Sequence, residues 1–374
     1  MDYESYFNLK PGVIHLNHAA VAPWPTCTVD AVKAFADENG SIGSSRYTQW
    51  VYTETQLRKQ LAQLINAPSH EHIGLLKNTS EGLSIIAYGL DWQPGDNIVI
   101  ADEEFPSNRI VWESLKPLGV EVRRVKLNHE NPEQQLIEQC DERTRLLSIS
   151  AVQYASGLRM DLHRLGQACK QEQIIYVVDA IQQIGAVELD CQAIDADFVI
   201  ADGHKWMLGP EGLALFYCRR EWITKLKLKQ FGWHMVEDMS DFNQMDHWQP
   251  ASSARRFECG SPNMLAVHAL HASVGLLLDI GMATIEQQVL DNTQYLIKLF
   301  SSLEAISILS PDQRHKHAGI FTFVKHGIEN EQLYQHLVDK GVICAPRGGG
   351  IRLSPHFYTQ KQHLDQVAQW VKEF

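Results

Sequence analysis

One lysine stands in a sequence context that would make its side-chain amine reactive. Lys205 ends the run 202–205 (DGHK), which directly follows the strand-like segment 197–201 (DFVIA) and precedes the apolar residues 206–208. A lysine in such surroundings seldom lacks a function. Burial lowers the pKa of a lysine, and the neutral amine is then a nucleophile able to form a Schiff base. A solvated loop lysine is the alternative interpretation.

An acidic residue closes another apolar run upstream of this lysine. Asp179 ends the run 174–179 (IIYVVD), and Gln182 follows it three residues later. A carboxylate at the end of a buried strand can bind a metal ion, a ribose hydroxyl or a protonated ring nitrogen. It can equally cap the turn that follows the strand.

A third candidate is the run 78–82 (NTSEG), which lies between an apolar segment and a helical pattern. Thr79 or Ser80 is expected to cap the helix that begins here. The free amide groups at such a helix end carry partial positive charge and bind phosphate readily. An ordinary capped helix without a ligand is the alternative.

Short apolar runs alternate with helical patterns over the first two thirds of the chain. The pattern predicts strands at His72–Lys77, Asn97–Ala101, Val120–Leu127, Arg145–Val152, Ile174–Asp179, Asp197–Ala201 and Leu213–Cys218. It predicts intervening helices at Glu81–Leu90, Arg109–Leu118, Pro132–Gln139 and Leu162–Gln171. Such alternation indicates an α/β fold with a mainly parallel sheet. Ligands bind these sheets beyond the carboxyl ends of the strands, which is where all three candidates lie.

The last third of the chain has a different pattern and predicts a smaller α+β unit. Its expected helices are Asn263–Ile280, Ile285–Leu303, Glu331–Lys340 and a closing helix from Thr359. Its expected strands are Ile320–Val324, Val342–Ala345 and Ile351–Leu353. We therefore predict an N-terminal segment near the active site (1–20), a large domain (21–262) and a small C-terminal domain (263–374).

Composition disfavours several classes of function. The chain has 33 basic and 45 acidic side chains, and the net charge of −12 argues against nucleic-acid and anionic-membrane binding. No apolar run is long enough to span a bilayer, and the acidic N-terminus is unlike a signal peptide. The 7 cysteines are dispersed without a C-x-x-C pair, which predicts reduced thiols in the cytoplasm. No histidine or cysteine spacing typical of a metal site is present.

Four further blocks accompany the three candidates along nearly the whole chain. They are 15–20 (HLNHAA), 104–108 (EFPSN), 257–263 (FECGSPN) and 348–356 (GGGIRLSPH). In this order and spacing, the motifs resemble the class V aminotransferase family of fold-type-I enzymes, which includes cysteine desulfurases, kynureninases and isopenicillin epimerase-like enzymes. The resemblance implies a large, mainly parallel seven-stranded sheet domain with a smaller C-terminal α+β domain. It also implies pyridoxal 5′-phosphate as cofactor, a small amino-acid substrate and a homodimer with shared active sites.

The resemblance assigns roles around the cofactor ring. Lys205 is expected to form the Schiff base with the cofactor aldehyde and to act as base and acid at the substrate Cα. Asp179 is expected to pair with the pyridine nitrogen, and Gln182 to contact the phenolic oxygen of the ring. Phe105 matches the aromatic residue that stacks on the ring in kynureninase-like members. Tyr154 lies where relatives often carry an asparagine near the same phenolic oxygen.

The resemblance also implies a set of residues for the cofactor phosphate. Thr79 and Ser80 are expected to bind it, with help from His204. Asp202 stands where desulfurases have serine, and a carboxylate beside a phosphate is electrostatically unfavourable. We therefore expect Asp202 to orient His204 or Lys205.

Other parts of the chain are expected to complete the site. Arg352 matches the arginine that binds the substrate α-carboxylate, to which a guanidinium presents a bidentate fork. Asn17 and His18 are expected to line the substrate pocket. Ser261 is expected to cap the long helix that follows it and to reach the phosphate of the neighbouring subunit.

Several reactions are compatible with this cofactor. Transamination at the α-amino group of an amino acid is the simplest interpretation, and a C–S lyase, a C–C lyase or an epimerase is the alternative. A desulfurase also needs a mobile cysteine on a loop, whereas Cys344 lies in a predicted strand that runs almost directly into 348–352. Lys205 argues against a non-catalytic relative. The lack of a G-x-G-x-x-G motif after any strand argues against a nicotinamide dehydrogenase.

Overall fold

The computed structural model describes residues 3–128, 130–239 and 245–374. Its strands in chain order are β1 Ile14–His15, β2 Ile73–Leu76, β3 Asn97–Ala101, β4 Glu121–Val125, β5 Thr144–Ser150, β6 Ile175–Asp179, β7 Phe198–Asp202, β8 Ala214–Cys218, β9 Ile306–Ile308, β10 Phe321–Lys325, β11 Val342–Ile343, β12 Ala345–Arg347 and β13 Gly350–Leu353. All seven strands predicted over the first two thirds of the chain are present, with ends shifted by one or two residues.

Helices separate most of these strands. They are α1 Thr26–Ile42, α2 Tyr47–Leu64, α3 Thr79–Gly89, α4 Ser107–Glu113, α5 Pro132–Glu138, α6 Leu162–Gln171, α7 Arg220–Lys225, α8 Met264–Ile280, α9 Met282–Ser301, α10 Asn330–Asp339 and α11 Lys361–Glu373. Among the described residues no single helix is long and apolar enough to cross a membrane. Only α8 and α9 taken together, with a bend of 85° at their junction, pass that test of length and composition.

A seven-stranded sheet forms the centre of the large domain, in the order β2-β8-β7-β6-β5-β3-β4. Neighbouring strands are parallel except at β8, which runs antiparallel to both β2 and β7. Apart from the edge strand β4, the sheet is buried on both faces, as a parallel sheet with helices on either side must be. In β3, Ile98 and Ile100 pack into one apolar cluster while Val99 and Ala101 pack into the other. This alternation explains why the strand reads as a continuous apolar run.

The topology brings the candidate residues to one edge of this sheet. Asp179 is the last residue of β6, Asp202 is the last residue of β7, and Thr79 follows β2 after two residues. Because β8 is antiparallel, the turn that leads into it also lies at this edge. The carboxyl ends of the six strands that run in one direction therefore lie at the same edge as the turn between β7 and β8.

A second, four-stranded antiparallel sheet forms the small domain, in the order β12-β13-β10-β9. The N-terminal segment joins this domain, because β1 pairs in parallel with β11 and Asn17 forms an isolated bridge with Ser354. An apolar cluster that includes Phe300, Phe321 and Phe323 fills the space between the sheet and its helices.

Some elements differ from the sequence-based expectation. The pattern predicts no helix over residues 21–71, where α1 and α2 lie, and the predicted strand Val342–Ala345 is divided between β11 and β12 at Cys344. Helix α8 packs against α1 and α2, and its residues join the apolar cluster of the large sheet. The division of the chain at residue 262 stays a prediction.

Candidate active site

A cavity of about 290 Å³ lies where the carboxyl ends of the large-sheet strands meet the small domain. Ten of the predicted site residues line it, namely Thr79, Ser80, Phe105, Tyr154, Asp179, Gln182, Asp202, His204, Lys205 and Arg352. The remaining three, Asn17, His18 and Ser261, do not line it. With residues 19–21, the cavity collects residues from seven separate stretches of the chain.

Lys205 and Asp179 are the buried ionisable pair of this cavity. The Lys205 residue is 9% exposed and the Asp179 residue 2% exposed. Burial lowers the pKa of the Lys205 amine, while the charge of Asp179 acts in the opposite direction. Burial likewise raises the pKa of the Asp179 carboxyl, whose Oδ1 accepts a hydrogen bond of 3.1 Å from the Ile181 amide. The lysine amine is therefore more often neutral near pH 7 than a solvated lysine would be.

Two aromatic rings stand beside the amine. The Lys205 Nζ lies 5.6 Å from the centre of the Phe105 ring, which is 42% exposed. Tyr154 packs edge-on against Phe105, with 5.2 Å between ring centres and an interplanar angle of 81°. Phe105 thus has open ring surface beside the reactive amine, as a stacking residue requires.

The N-terminus of α3 reaches the cavity, but its cap differs from the expected one. Asn78 is the capping residue, with its Oδ1 accepting from the Glu81 amide at 2.9 Å. The expectation that Thr79 or Ser80 caps the helix is wrong, because both already lie inside its first turn. The Thr79 amide and hydroxyl both donate to Asp202 Oδ1, the hydroxyl at 2.9 Å. The negative charge of the Asp202 carboxylate therefore balances the partial positive charge at the N-terminus of α3.

Ser80 and His204 retain polar atoms near this helix end. The Ser80 hydroxyl donates to Ser107 Oγ at 2.9 Å. The His204 Nδ1 is buried, makes no hydrogen bond to any described residue, and lies 3.5 Å from Asp202 Oδ2. Burial and the charge of Lys205 lower the pKa of His204 to about 4, so its imidazole is neutral at pH 7.

Gln182 lies in the cavity wall with both ends of its amide engaged. Its Nε2 donates to the Ala19 carbonyl at 3.0 Å, and its Oε1 accepts from Trp206 Nε1 at 2.9 Å. These bonds join the N-terminal segment to the loop that carries Lys205. Contact between Gln182 and a cofactor oxygen stays a prediction.

The N-terminal segment contributes to the cavity through residues other than those expected. His18 is fully buried and bonds to the Ser354 carbonyl at 2.9 Å and the Tyr358 hydroxyl at 2.8 Å. Asn17 Oδ1 is buried without a hydrogen bond to any described residue. The residues that follow, 19–21, are the ones that line the cavity.

Ser261 lies outside this cavity. Its hydroxyl accepts from Trp233 Nε1 at 3.3 Å, and it lines a separate cavity together with Asn78 and Gly212. The expectation that Ser261 caps α8 is wrong. The helix begins two residues later than that expectation requires, and Asn263 caps it by accepting from the Ala266 amide at 3.1 Å.

Arg352 lies at the small-domain side of the cavity and is 3% exposed. Its Nη1 donates to the Tyr154 carbonyl at 2.7 Å, and its Nε is buried without a hydrogen bond to any described residue. Burial and the charge of Arg347 lower the pKa of the guanidinium to about 10, so it keeps its charge at pH 7. A carboxylate entering the cavity would satisfy the remaining donors.

Sequence reasoning missed several residues of the cavity. Ser107, Glu211 and Arg347 line it, the first from the 104–108 block and the last from just before the glycine run. Glu104 lies beneath the site, where it accepts hydrogen bonds from Ser150, Asn108 and Gln153. Each of these residues lies inside or beside a sequence block that already contained a candidate, and that proximity is the signal that could have identified it.

The cysteines lie away from the cavity. All seven belong to the described residues, none is paired, and none lines it. Cys344, which stands between β11 and β12, is 4% exposed, and burial raises the pKa of its thiol to about 12. A thiol of this kind is unreactive at pH 7.

The residues of the cavity fit pyridoxal phosphate. A buried amine can bind the aldehyde, a buried carboxylate can pair with the ring nitrogen, and an aromatic face is open beside the amine. The phosphate end is the weaker match, because Asp202 already accepts from Thr79. Ser80, His204 and further amides of the α3 terminus are the groups that would hold a phosphate there.

Comparisons with known proteins agree with this fit. Residues 14–367 match the family described as aminotransferase class-V. The chain is 29% identical to a probable cysteine desulfurase of Methanothermobacter thermautotrophicus and 30% identical to one of Pyrococcus abyssi; each alignment covers 96% of this chain and, respectively, 94% and 93% of the relative. A cysteine desulfurase structure from Thermococcus onnurineus superposes with a TM-score of 0.88 at 26% identity, covering 100% of this chain and 97% of that one. The chain therefore belongs to the class V aminotransferase family, whose enzymes use pyridoxal phosphate.

Proposed function

We propose that this enzyme is an aminotransferase for a small α-amino acid, with Lys205 as the residue that binds the cofactor and moves the Cα proton. The observation that carries the proposal is the arrangement of Asp179, Lys205 and Arg352 around one cavity. When bound there, pyridoxal phosphate supplies an electron sink for negative charge that develops at Cα.

Lys205 has the properties that a proton carrier needs. Its amine is buried and its pKa is lowered, so the neutral form that accepts a proton is available near pH 7. The resulting ammonium can return the proton to a neighbouring carbon. Asp179 supports this role, because a carboxylate favours a protonated ring nitrogen, and that positive charge in turn lowers the carboxyl pKa.

Arg352 would orient the substrate. Arg352 lines the cavity that also holds the Lys205 amine, and its guanidinium has further N–H groups beyond the Nη1 donor that binds the Tyr154 carbonyl. An amino acid whose α-carboxylate binds there has its α-amino group directed towards the lysine side of the cavity. The small residues Ala19 and Ala20 leave room for it.

A C–S lyase that releases sulfur without a cysteine of its own is the second candidate. Relatives named as probable cysteine desulfurases favour cleavage of a sulfur-containing substrate. The positions of the seven cysteines argue against a persulfide on this chain within the described cavity. Transamination needs no such acceptor, which is why it is the first candidate.

Product stoichiometry separates the two reactions. The cofactor-loaded enzyme is mixed with single amino acids in the absence of an amino acceptor, and 2-oxo acid, ammonia and sulfide are measured. An aminotransferase forms about one 2-oxo acid per site, releases no ammonia and stops. Repeated release of ammonia or sulfide contradicts the proposal and supports the lyase. Lys205→Ala is the inactive control.

We further propose a homodimer in which Ser261 serves the neighbouring site. Ser261 lies outside the cavity of its own chain but beside the α3 terminus, which supports a role across an interface. Exposed aromatic residues on the same part of the chain, Phe231 at 62% and Trp248 at 46%, support burial against a second copy.

We also place the enzyme in the cytoplasm, because its cysteines are unpaired.

Mixing of two inactive variants tests the shared site. Lys205→Ala and Ser261→Ala subunits are combined under conditions that exchange subunits. A mixed dimer contains one site with both native residues, so activity is expected to exceed that of either parent. A monomer by light scattering, or mixing without recovery of activity, contradicts the proposal.

A further inference from the structure

We propose that Arg347 is a specificity residue that binds a second anionic group on the substrate side chain, so that the enzyme acts on acidic amino acids. The inference rests on the proposed function, in which Arg352 binds the α-carboxylate. Its basis is the presence of two guanidinium groups at one end of the cavity.

The β12–β13 hairpin places both arginines on one face. Ala345 pairs with Arg352, and Arg347 pairs with Gly350. Side chains two residues apart on a strand share a face, so Arg347 and Arg352 are diagonal neighbours across the two strands. Diagonal neighbours lie about 7–8 Å apart at the backbone, which is within reach of two long side chains.

Glycine makes this arrangement possible. Gly348 and Gly349 have φ of 63° and 79°, so the two-residue turn has positive φ at both positions, as a tight hairpin of type I′ requires. A Cβ at Gly350 would stand 2.2 Å from the Phe323 carbonyl oxygen. The position opposite Arg347 therefore carries no side chain.

The charges of the cavity are separated along its length. Asp202 contacts Thr79 at the N-terminus of α3, whereas Arg347 and Arg352 belong to the β12–β13 hairpin of the small domain. The charges that act on the Lys205 amine are those of Asp179, Arg352 and Asp202.

Neither arginine is neutralised by a described carboxylate. Among the described residues, neither Arg347 nor Arg352 forms an ion pair, and each donates a hydrogen bond to a backbone carbonyl, of Pro346 and Tyr154 respectively. Glu211 is the remaining exposed acid in the cavity wall, and it forms no ion pair with either arginine among the described residues. Two adjacent cations without a counter-ion form a site for a ligand with two negative groups.

A dicarboxylate meets this requirement. The α-carboxylate of an acidic amino acid would bind Arg352, and its side-chain carboxylate would bind Arg347, which is exposed at the mouth of the cavity. A neutral side chain of the same size would leave Arg347 unpaired. The preference should therefore depend on charge and should weaken as ionic strength rises.

The experiment compares charged and neutral ligands of equal shape. Reaction of the cofactor-loaded enzyme with L-glutamate and L-glutamine is measured, and binding of glutarate and glutaramate is measured by calorimetry. We expect the charged ligand to be preferred by about ten- to a hundredfold in both assays, the range of a charge-assisted hydrogen bond. Arg347→Gln is expected to reduce both preferences to less than about threefold. Arg347→Lys keeps the charge and should retain most of the preference.

The control variant is Arg220→Gln. Arg220 is an exposed arginine in a surface ion pair with Glu71, and its loss should leave both preferences unchanged. Equal treatment of charged and neutral ligands by the native enzyme, or an unchanged preference in Arg347→Gln, overturns the inference. If glutarate is preferred but no amino acid reacts, the proposed aminotransferase function fails while the dicarboxylate site stands.

Discussion

Replacement of Arg352 by alanine gives a quantitative prediction for substrate orientation. The guanidinium has five N–H donors, of which one is used by the Tyr154 carbonyl, and its buried Nε has no partner among the described residues. A bidentate carboxylate would form two charge-assisted hydrogen bonds, each worth about 1.5–3 kcal/mol. Their loss corresponds to about 3–6 kcal/mol, or a decrease of roughly two to four powers of ten in kcat/KM.

The assay must separate lost binding from lost folding. Arg352→Ala also leaves the Tyr154 carbonyl without its donor, which is expected to reduce the free energy of unfolding by about 1–3 kcal/mol. Urea denaturation measures that cost directly. Values of kcat/KM are then compared under conditions in which the variant is fully folded. Arg352→Lys keeps the charge without the bidentate fork, and its kcat/KM is expected to lie between those of the native enzyme and Arg352→Ala.

A pair of ligands isolates the α-carboxylate. 4-Aminobutyrate is L-glutamate without its α-carboxylate, so only L-glutamate can use Arg352 in the proposed manner. Native enzyme is expected to prefer L-glutamate, and Arg352→Ala is expected to lose most of that preference. An equal loss of activity towards both compounds would refute the assignment, since it would show that Arg352 acts on the structure rather than on the carboxylate.

Three further predictions concern charge. Asp179→Asn is expected to slow the reaction with amino acids at least about a hundredfold while cofactor attachment, followed by absorbance, persists; an unchanged rate contradicts its electrostatic role. Burial lowers the pKa of His15 to about 4 and of His356 to about 3. Below pH 6.5 the unfolded chain therefore binds more protons than the folded chain. The free energy of unfolding, measured by urea denaturation, should fall from pH 6.5 to pH 4 by up to about 1.4 kcal/mol per histidine per pH unit; a flat profile contradicts this. Arg58 lies in a buried cluster with its Nη2 2.7 Å from Glu258 Oε2, and its replacement by alanine should lower the free energy of unfolding by about 3–5 kcal/mol. The Arg58→Ala/Glu258→Gln double variant should recover part of this loss. A loss below about 1 kcal/mol, as for a surface ion pair, contradicts the prediction.

Much of the large domain was predictable from sequence because its strands are buried on both faces. Continuous apolar runs marked β3, β6 and β7, and the polar residue at the end of such a run marked Asp179. Lys205 follows β7 closely, so its position depended on local sequence alone. Local patterns therefore sufficed for the residues nearest the strand ends.

The helices α1 and α2 were missed for different reasons. Thr28 is the one buried residue of α1, so the chain there lacks the apolar periodicity that marks an amphipathic helix. Helix α2 combines apolar residues with the buried charges of Glu54 and Arg58. Patterns of hydrophobicity cannot distinguish such paired buried charges from exposed ones.

The remaining differences come from contacts between distant parts of the chain. Asp202 reaches Thr79 across 123 residues, and it occupies the amide and hydroxyl of Thr79 that were expected to bind the phosphate. Arg347 enters the cavity because of a hairpin register that pairs Ala345 with Arg352. His18 lies in the core rather than in the pocket because Ser354 and Tyr358 bind both of its ring nitrogens. None of these contacts has a signature in the local sequence.

The most direct test of the central claim is the identity of the residue that carries the cofactor. The purified enzyme is loaded with pyridoxal phosphate, reduced with borohydride and digested, and the labelled peptide is identified by mass spectrometry. We expect the label on Lys205 and its loss in Lys205→Ala. In Lys77→Ala, which removes an exposed lysine near α3, the label is expected to persist. Label on another lysine, or equal labelling of Lys205→Ala, would contradict the assignment of this site.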